Sequence, residues 1–160
     1  MKSIIVEGPD NTGKSTLAQR LSSHFGVPLF RAGPAPSGFS MVRTCCDYQF
    51  GWMMQRACVF DRITPISHSC YHQLDTLEAQ YLAGTLEVML NRCIVIYCNT
   101  IFGMTRDTYE TDQDDLLVKS QQTIVTDAYK TMMRNIVKPH VIFHGQDYNS
   151  VIANIRRIDQ

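Results

Sequence analysis

The stretch IIVEGPDNTGKSTL, residues 4–17, decides the fold. Ile4, Ile5 and Val6 form a short apolar run that stops at a glycine loop. Leu17, Ala18, Leu21 and Phe25 then recur at helical spacing until Gly26 ends them. Strand, loop and helix follow one another. Within the loop, Gly8, Gly13, Lys14 and Ser15 fit G-x-x-x-x-G-K-[ST], a pattern that carries meaning when a strand precedes it and a helix follows. The spacing has a chemical reason. Glycines let the backbone wrap closely around a β-phosphate and the helix N-terminus adds its dipole, while Lys14 neutralises the β/γ oxygens and Ser15 ligates Mg²⁺. Gly8, Pro9, Asp10, Asn11, Thr12, Gly13, Lys14, Ser15 and Thr16 are therefore the expected nucleotide-binding residues, with ATP and Mg²⁺ as cofactors.

Outward from the loop, strands and helices alternate. An extended piece over 27–30 enters the Pro/Gly-rich RAGPAPSG, and a short helix is expected over 39–49. RACVFDR reads as a buried strand ending at Asp61 and Arg62, and apolar residues from Ile66 to Leu90 keep a period near 3.6, which predicts one long helix. CIVIYC suits a parallel strand buried on both faces. The polar GMTRDTYETDQDD follows, then a helix over 116–134, a strand in HVIFH and a last helix from Ser150. The expectation is an α/β P-loop NTPase fold, with a mostly parallel sheet and helices on both faces. One domain over 1–160, with a lid over about 103–115, accounts for the length.

Fifteen basic and fifteen acidic side chains cancel, so no global field draws the chain to nucleic acid or membrane, and any polyanion contact is local. No apolar run reaches the roughly 18 residues of a membrane span. The six cysteines include no C-x-x-C pair, and no apolar signal segment precedes the loop, so a reducing, cytoplasmic compartment is expected. Cys58 and Cys98 sit in apolar runs as small hydrophobes.

A GTPase would carry N-K-x-D after a later strand, and YCNTIFGM offers no such lysine and aspartate. A kinase fits better. The loop EGPDNTGKSTL resembles that of the thymidylate kinase family, particularly its short phage-type members. VFDRITPISHSCYH is similar to the family's D-R motif followed by a serine and a tyrosine, here Ser67 and Tyr71. The segment GQDY is similar to the one bordering adenine. The resemblance runs from residue 1 to about 148 and implies a catalytic set of Lys14, Asp61, Arg62, Arg106 and Asp10. In it Ser15 and Asp61 face Mg²⁺, while Asp10 or Asp61 faces the acceptor. Family members with a catalytic arginine inside the loop would carry it near Asn11, so its absence here implies that Arg106 of the lid supplies that cation. The plain alternatives are a strand-end salt bridge for Asp61 and Arg62 and a solvated loop charge for Arg106.

The departures concern the acceptor. Residues 26–60 are shorter than the equivalent stretch of soluble thymidylate kinases, and Arg31, Arg43 and Arg56 are the arginines it offers for clasping a 5′-phosphate. A trimmed acceptor side suits a hydroxyl. One branch of the family phosphorylates 5-hydroxymethyluracil in phage DNA, a step toward hypermodified thymine, and that acceptor is the leading expectation, in the host cytoplasm if phage-encoded. A soluble dTMP-like kinase is the alternative, followed by a deoxynucleoside kinase or a non-catalytic ATP-binding module. Tyr48, Phe50 and Trp52 would offer a stacking platform for a base, or simply pack under the sheet. His68 and His72 lie four apart with Cys70 between, too few ligands for zinc, and are expected to line the acceptor cleft. The family resemblance also implies a homodimer through helices beside the D-R strand.

Overall fold

Alternation along the first strand sets the two faces of the sheet. The computed structural model describes residues 1–32, 38–99, 113–145 and 147–160, with the backbone alone for 113–121. In β1 (Ser3–Glu7), every residue is buried. Ile4 and Val6 join a core with Leu17, Ala18 and Leu21 of α1 (Lys14–Phe25) and Val151, Ile152 and Ile155 of α6 (Tyr148–Ile158). Ile5 points the other way, into a core with Phe60, Ile66, Met89, Val95 and Tyr129. Each fully buried aliphatic side chain contributes roughly 1.5–3 kcal/mol. Period-two patterning thus sends Glu7 to the same face as Ile5, under the helices rather than toward solvent.

The sheet holds β2 (Leu29–Arg31), β3 (Val59–Asp61), β4 (Cys93–Cys98) and β5 (Val141–Phe143) beside β1, in the order β2-β3-β1-β4-β5. All four pairings are parallel. The α/β expectation holds, with helices covering both faces. Val6 is in register with Asp61 and Glu7 with Tyr97, so the loop after β1 emerges between the carboxyl ends of β3 and β4, where open α/β sheets present their ligand crevice.

Two helices differ from expectation. The single helix expected over 66–90 is two, α3 (Thr64–Tyr71) and α4 (Thr76–Leu90). Asp75 starts α4 with a capping box: its carboxylate accepts from the Glu78 N–H at 2.8 Å, and Glu78 accepts from the Asp75 N–H at 3.4 Å. The local D-x-x-E signal outweighs an apolar period that runs through the break. The helix expected over 39–49 continues as α2 (Phe39–Gln55), because Val42, Cys46, Gln49 and Met53 keep an inward face. Gln49 also fastens α2 to the start of α3, accepting from the Thr64 N–H at 2.8 Å and donating to Thr64 Oγ1 at 2.9 Å. After the residues not described, α5 (Gln113–Met132) runs into a π-helical turn (Met133–Val137) closed by Lys138 at φ 49°. No helix among the described residues is long and apolar enough to cross a membrane.

Candidate active site

Backbone geometry shapes the phosphate loop. Gly8 sits at φ 155°, and a Cβ there would stand 2.2 Å from the Cys98 carbonyl oxygen, so the close passage of β4 admits only glycine. Asn11 (φ 62°) and Gly13 (φ 77°) turn the chain through left-handed conformations. Gly13 caps α1 without a side-chain acceptor, which leaves the first helical N–H groups available to an anion. Thr12 braces the loop by donating to the Pro9 carbonyl at 2.8 Å. Asn11 through Thr16 line a cleft of about 230 Å³. The buried Lys14 donates its Nζ to the Pro9 carbonyl at 3.2 Å and lies 3.5 Å from Asp10 Oδ1. Burial, and then the nearby Arg62, hold its ammonium below the usual lysine range. Ser15 and Thr16 are exposed at the mouth.

The D-R corner faces this loop. Arg62 adopts φ 75° and donates its N–H to the Val6 carbonyl at 3.0 Å. Its guanidinium reaches Asp10 Oδ1 at 2.7 Å and lies over the Tyr71 ring at 5.2 Å. The ion pair is therefore with the loop, and not the Asp61–Arg62 strand-end bridge that was the plain alternative. Burial would raise the Asp10 carboxyl, but Lys14 and Arg62 outweigh it and hold the group below its ordinary value. Asp61 is buried at the end of β3; its backbone carbonyl accepts from the Ala32 N–H at 3.3 Å, while its carboxylate accepts no hydrogen bond among the described residues. Asp10, Lys14, Asp61 and Arg62 meet in one place, while Arg106 and most of the expected lid lie outside the described residues.

A second cleft, of about 300 Å³, continues from Gly13 and Thr16 to Leu17, Arg20, Phe143, Gly145 and Tyr148. The Tyr148 hydroxyl donates to the Arg20 carbonyl at 2.7 Å, and the Arg20 guanidinium lies over the Tyr148 ring at 5.8 Å. Gly145 and Tyr148 come from the GQDY segment expected to border a nucleotide base.

Glu7 escaped the sequence reading. Fully buried, it accepts from the Ile63 N–H at 2.6 Å, the Tyr129 hydroxyl at 3.1 Å and the Gly8 N–H at 3.3 Å. Burial raises its carboxyl from the ordinary 4.5 to about 7, against the opposing pull of the Ile63 N–H, Arg62 and Lys14. A raised carboxyl pKa stabilises the fold fully below the unfolded value and loses that contribution as pH climbs through the folded one. The loss, roughly 3 kcal/mol, falls between about pH 4.5 and 7. Glu7→Gln is expected to remove it. Urea denaturation at pH 5 and pH 8 should show the wild type losing stability relative to the variant, and parallel behaviour would refute the raised pKa.

His68 is buried with its ring 4.5 Å from that of His72, which follows the end of α3, and no cluster of three or more metal-ligating side chains occurs among the described residues. Tyr48 is exposed, whereas Trp52 lies 5.0 Å under the Arg56 guanidinium. Arg31 is exposed and donates to Gln19 at 3.2 Å. All six cysteines are free, and burial pushes the Cys46, Cys93 and Cys98 thiols up to about 12, which leaves them inert.

The sheet order, the phosphate loop after β1 and the helices on both faces define a P-loop α/β fold. Solved structures share it. The chain is similar to the YorR protein of Bacillus subtilis, solved with phosphorylated GDP, at 18% identity and TM-score 0.65 over 98% of this chain and 94% of that one. It is similar to deoxyadenosine kinase from M. mycoides, solved with dCMP and dCDP, at 18% identity and TM-score 0.65 over 99% and 100% of the two chains. It is also similar to thymidylate kinase from Ehrlichia chaffeensis, at 19% identity and TM-score 0.54 over 99% and 98%. No protein-family model and no curated protein matches the chain.

Proposed function

We propose that the protein is a P-loop phosphotransferase that moves the γ-phosphoryl group of ATP to an acceptor of the nucleoside class. The observation that carries this reading is the Asp10–Arg62 pair at 2.7 Å, which joins the phosphate loop to the corner holding Asp61. Donor and acceptor sides then share one cleft. Phosphoryl transfer needs positioning and charge neutralisation more than covalent chemistry. Lys14 and the free N–H groups of α1 hold the phosphates. Ser15 and Asp61 would hold Mg²⁺, which supplies charge neutralisation at the transferring group, and Arg20, Gly145 and Tyr148 flank the base of the donor. Arg106 remains our proposal for a further cation.

The acceptor presents a hydroxyl. Among the described residues, Arg62 is committed to Asp10, Arg31 turns to Gln19 and Arg56 covers Trp52, which leaves the exposed Arg43 of α2 as the candidate clasp arginine without such a contact and supports an acceptor side poor in cations. Asp61, with no donor on its carboxylate among the described residues, suits the acceptor oxygen or its metal better than Asp10, whose depressed pKa makes a poor base. The hydroxymethyl group of 5-hydroxymethyluracil in DNA is the acceptor we put first. Likeness in fold to deoxyadenosine kinase favours a free deoxynucleoside as the second.

Transfer of labelled γ-phosphate from ATP to DNA bearing 5-hydroxymethyluracil, thymidine, deoxyadenosine and dTMP separates these. Label on dTMP alone would overturn the hydroxyl acceptor, and no label on any of them would remove the kinase reading. Asp61→Asn is expected to lower kcat on the order of 10²–10³-fold with KM for ATP little changed, since Lys14, Ser15 and the α1 N–H groups would still hold the nucleotide and its metal. An unchanged kcat would take Asp61 out of the machinery.

A further inference from the structure

We propose that Glu7 is a positioning residue: it holds the Arg62 corner in register with the phosphate loop and ties both to α5. This rests on the phosphotransferase reading above. Its three donors belong to three different parts of the molecule. The Gly8 N–H begins the phosphate loop, the Ile63 N–H leaves the D-R corner, and the Tyr129 hydroxyl comes from α5, the helix that follows the expected lid. Oε1 takes Ile63, and Oε2 takes both Gly8 and Tyr129.

The corner needs such a hold. Arg62 is not glycine, yet it stands at φ 75°, a conformation that persists only where the surroundings over-determine it. Two consecutive N–H groups do so here, Arg62 to the Val6 carbonyl at 3.0 Å and Ile63 to Glu7 at 2.6 Å. Both acceptors belong to β1. Ile63 is fully buried, so without Glu7 its N–H would have no partner in the described structure and water could replace the bond only by opening the corner. The left-handed turn at Arg62 aims the guanidinium back at Asp10.

The same residue closes a ring of contacts. The Tyr129 ring meets Tyr71 edge-on at 6.1 Å, and Tyr71 carries Arg62 across its face at 5.2 Å. Glu7, the corner, Tyr71 and Tyr129 therefore restrain one another. Displacement of α5 at Tyr129 reaches Arg62 by two routes, through the Glu7 carboxylate and through the Tyr71 ring. A buried acid facing Lys14, Arg62, Cys70 and Cys98 is poorly suited to mere packing, for which an apolar side chain would serve better.

Glu7→Leu and Glu7→Gln test this. Leucine removes every acceptor at similar volume, whereas glutamine keeps one oxygen for Ile63 and sets an amide donor against the Gly8 N–H. For Glu7→Leu, kcat is expected to fall about 100-fold while ATP affinity, measured with a fluorescent ATP analogue, stays within about threefold. Glu7→Gln should fall between it and the wild type. Amide exchange at Ile63 in Glu7→Leu should be at least about 10-fold faster than in the wild type, with the β4 amides unchanged. Tyr129→Phe should lower kcat modestly, and in the Glu7→Leu background it should cost nothing more, because the bond is already gone. The proposal is overturned if both Glu7 variants keep kcat within about twofold, or if ATP affinity falls in step with kcat, which would confine Glu7 to the loop. Should Glu7→Leu fail to fold, Glu7→Gln and Tyr129→Phe carry the same comparison. If the wild type phosphorylates none of the acceptors, the phosphotransferase reading fails by itself. Ile63 exchange then still decides the positioning role, and an unchanged rate refutes it.

Discussion

Lys14→Ala is expected to abolish phosphoryl transfer, lowering kcat on the order of 10³-fold and weakening ATP binding, because one preorganised cation on a transferring phosphoryl group is worth about 3–4 kcal/mol. Geometry makes the case. Lys14 is the first residue of α1, 7% exposed, and its Nζ rests on the Pro9 carbonyl and near Asp10, inside the loop that a phosphate chain would fill. An incoming polyanion offers it a stronger partner than a neutral carbonyl. The variant also unloads Asp10, which keeps Arg62 as its partner at 2.7 Å, so the fold should survive. Equilibrium binding of a fluorescent ATP analogue and steady-state turnover would measure the two effects separately. Retention of full turnover in a folded Lys14→Ala protein would disprove the assignment of this loop as the donor site.

Gly8→Ala should damage stability more than a methyl added at Gly26, Gly38, Gly51 or Gly84, where a Cβ would meet nothing within 4 Å. The new Cβ would lie 2.2 Å from the Cys98 carbonyl oxygen, and φ 155° is a conformation almost confined to glycine. Backbone cannot swing aside as a side chain does. Overpacking and backbone strain together are expected to cost about 3–5 kcal/mol, a large part of the 5–15 kcal/mol that holds a typical domain folded. Gly84→Ala is the matched control, since its Cβ would meet nothing within 4 Å on the helix α4. That change should stabilise by about 0.4–1 kcal/mol through helix propensity. Urea midpoints of the two variants should move in opposite directions, and a Gly8→Ala midpoint equal to the wild type would contradict the packing of β4 on the loop.

What could be read in advance was whatever is local. The phosphate loop, with its strand and helix, is written in consecutive residues, and Asp61 was legible because an acid ends a buried run. The α3–α4 break was local too, in Asp75 and Glu78, but the apolar period continues across it and masked the cap. Glu7 stood in plain view inside the quoted stretch and still revealed nothing. Its partners Ile63 and Tyr129 lie 56 and 122 positions away, and only the register of β1 against its neighbours brings them together. The Asp10–Arg62 pair, 52 positions apart, was hidden for the same reason. Acceptor choice is least legible, because it depends on side chains gathered from several loops rather than on any one motif.

The strand order has a temporal side. β1 is made first, yet it is flanked by β3 on one side and β4 on the other, and the Gly8 turn passes against Cys98. A ribosome must therefore release some ninety further residues before the loop acquires its wall. Until then the loop has only the β3 side and Arg62 to lean on, and loop-closure entropy for the pairing with β4 must be met before that contact rewards it. A nucleotide in the loop could select the native state only at the end of that sequence, which would make it a trap for finished molecules and not a template for nascent ones.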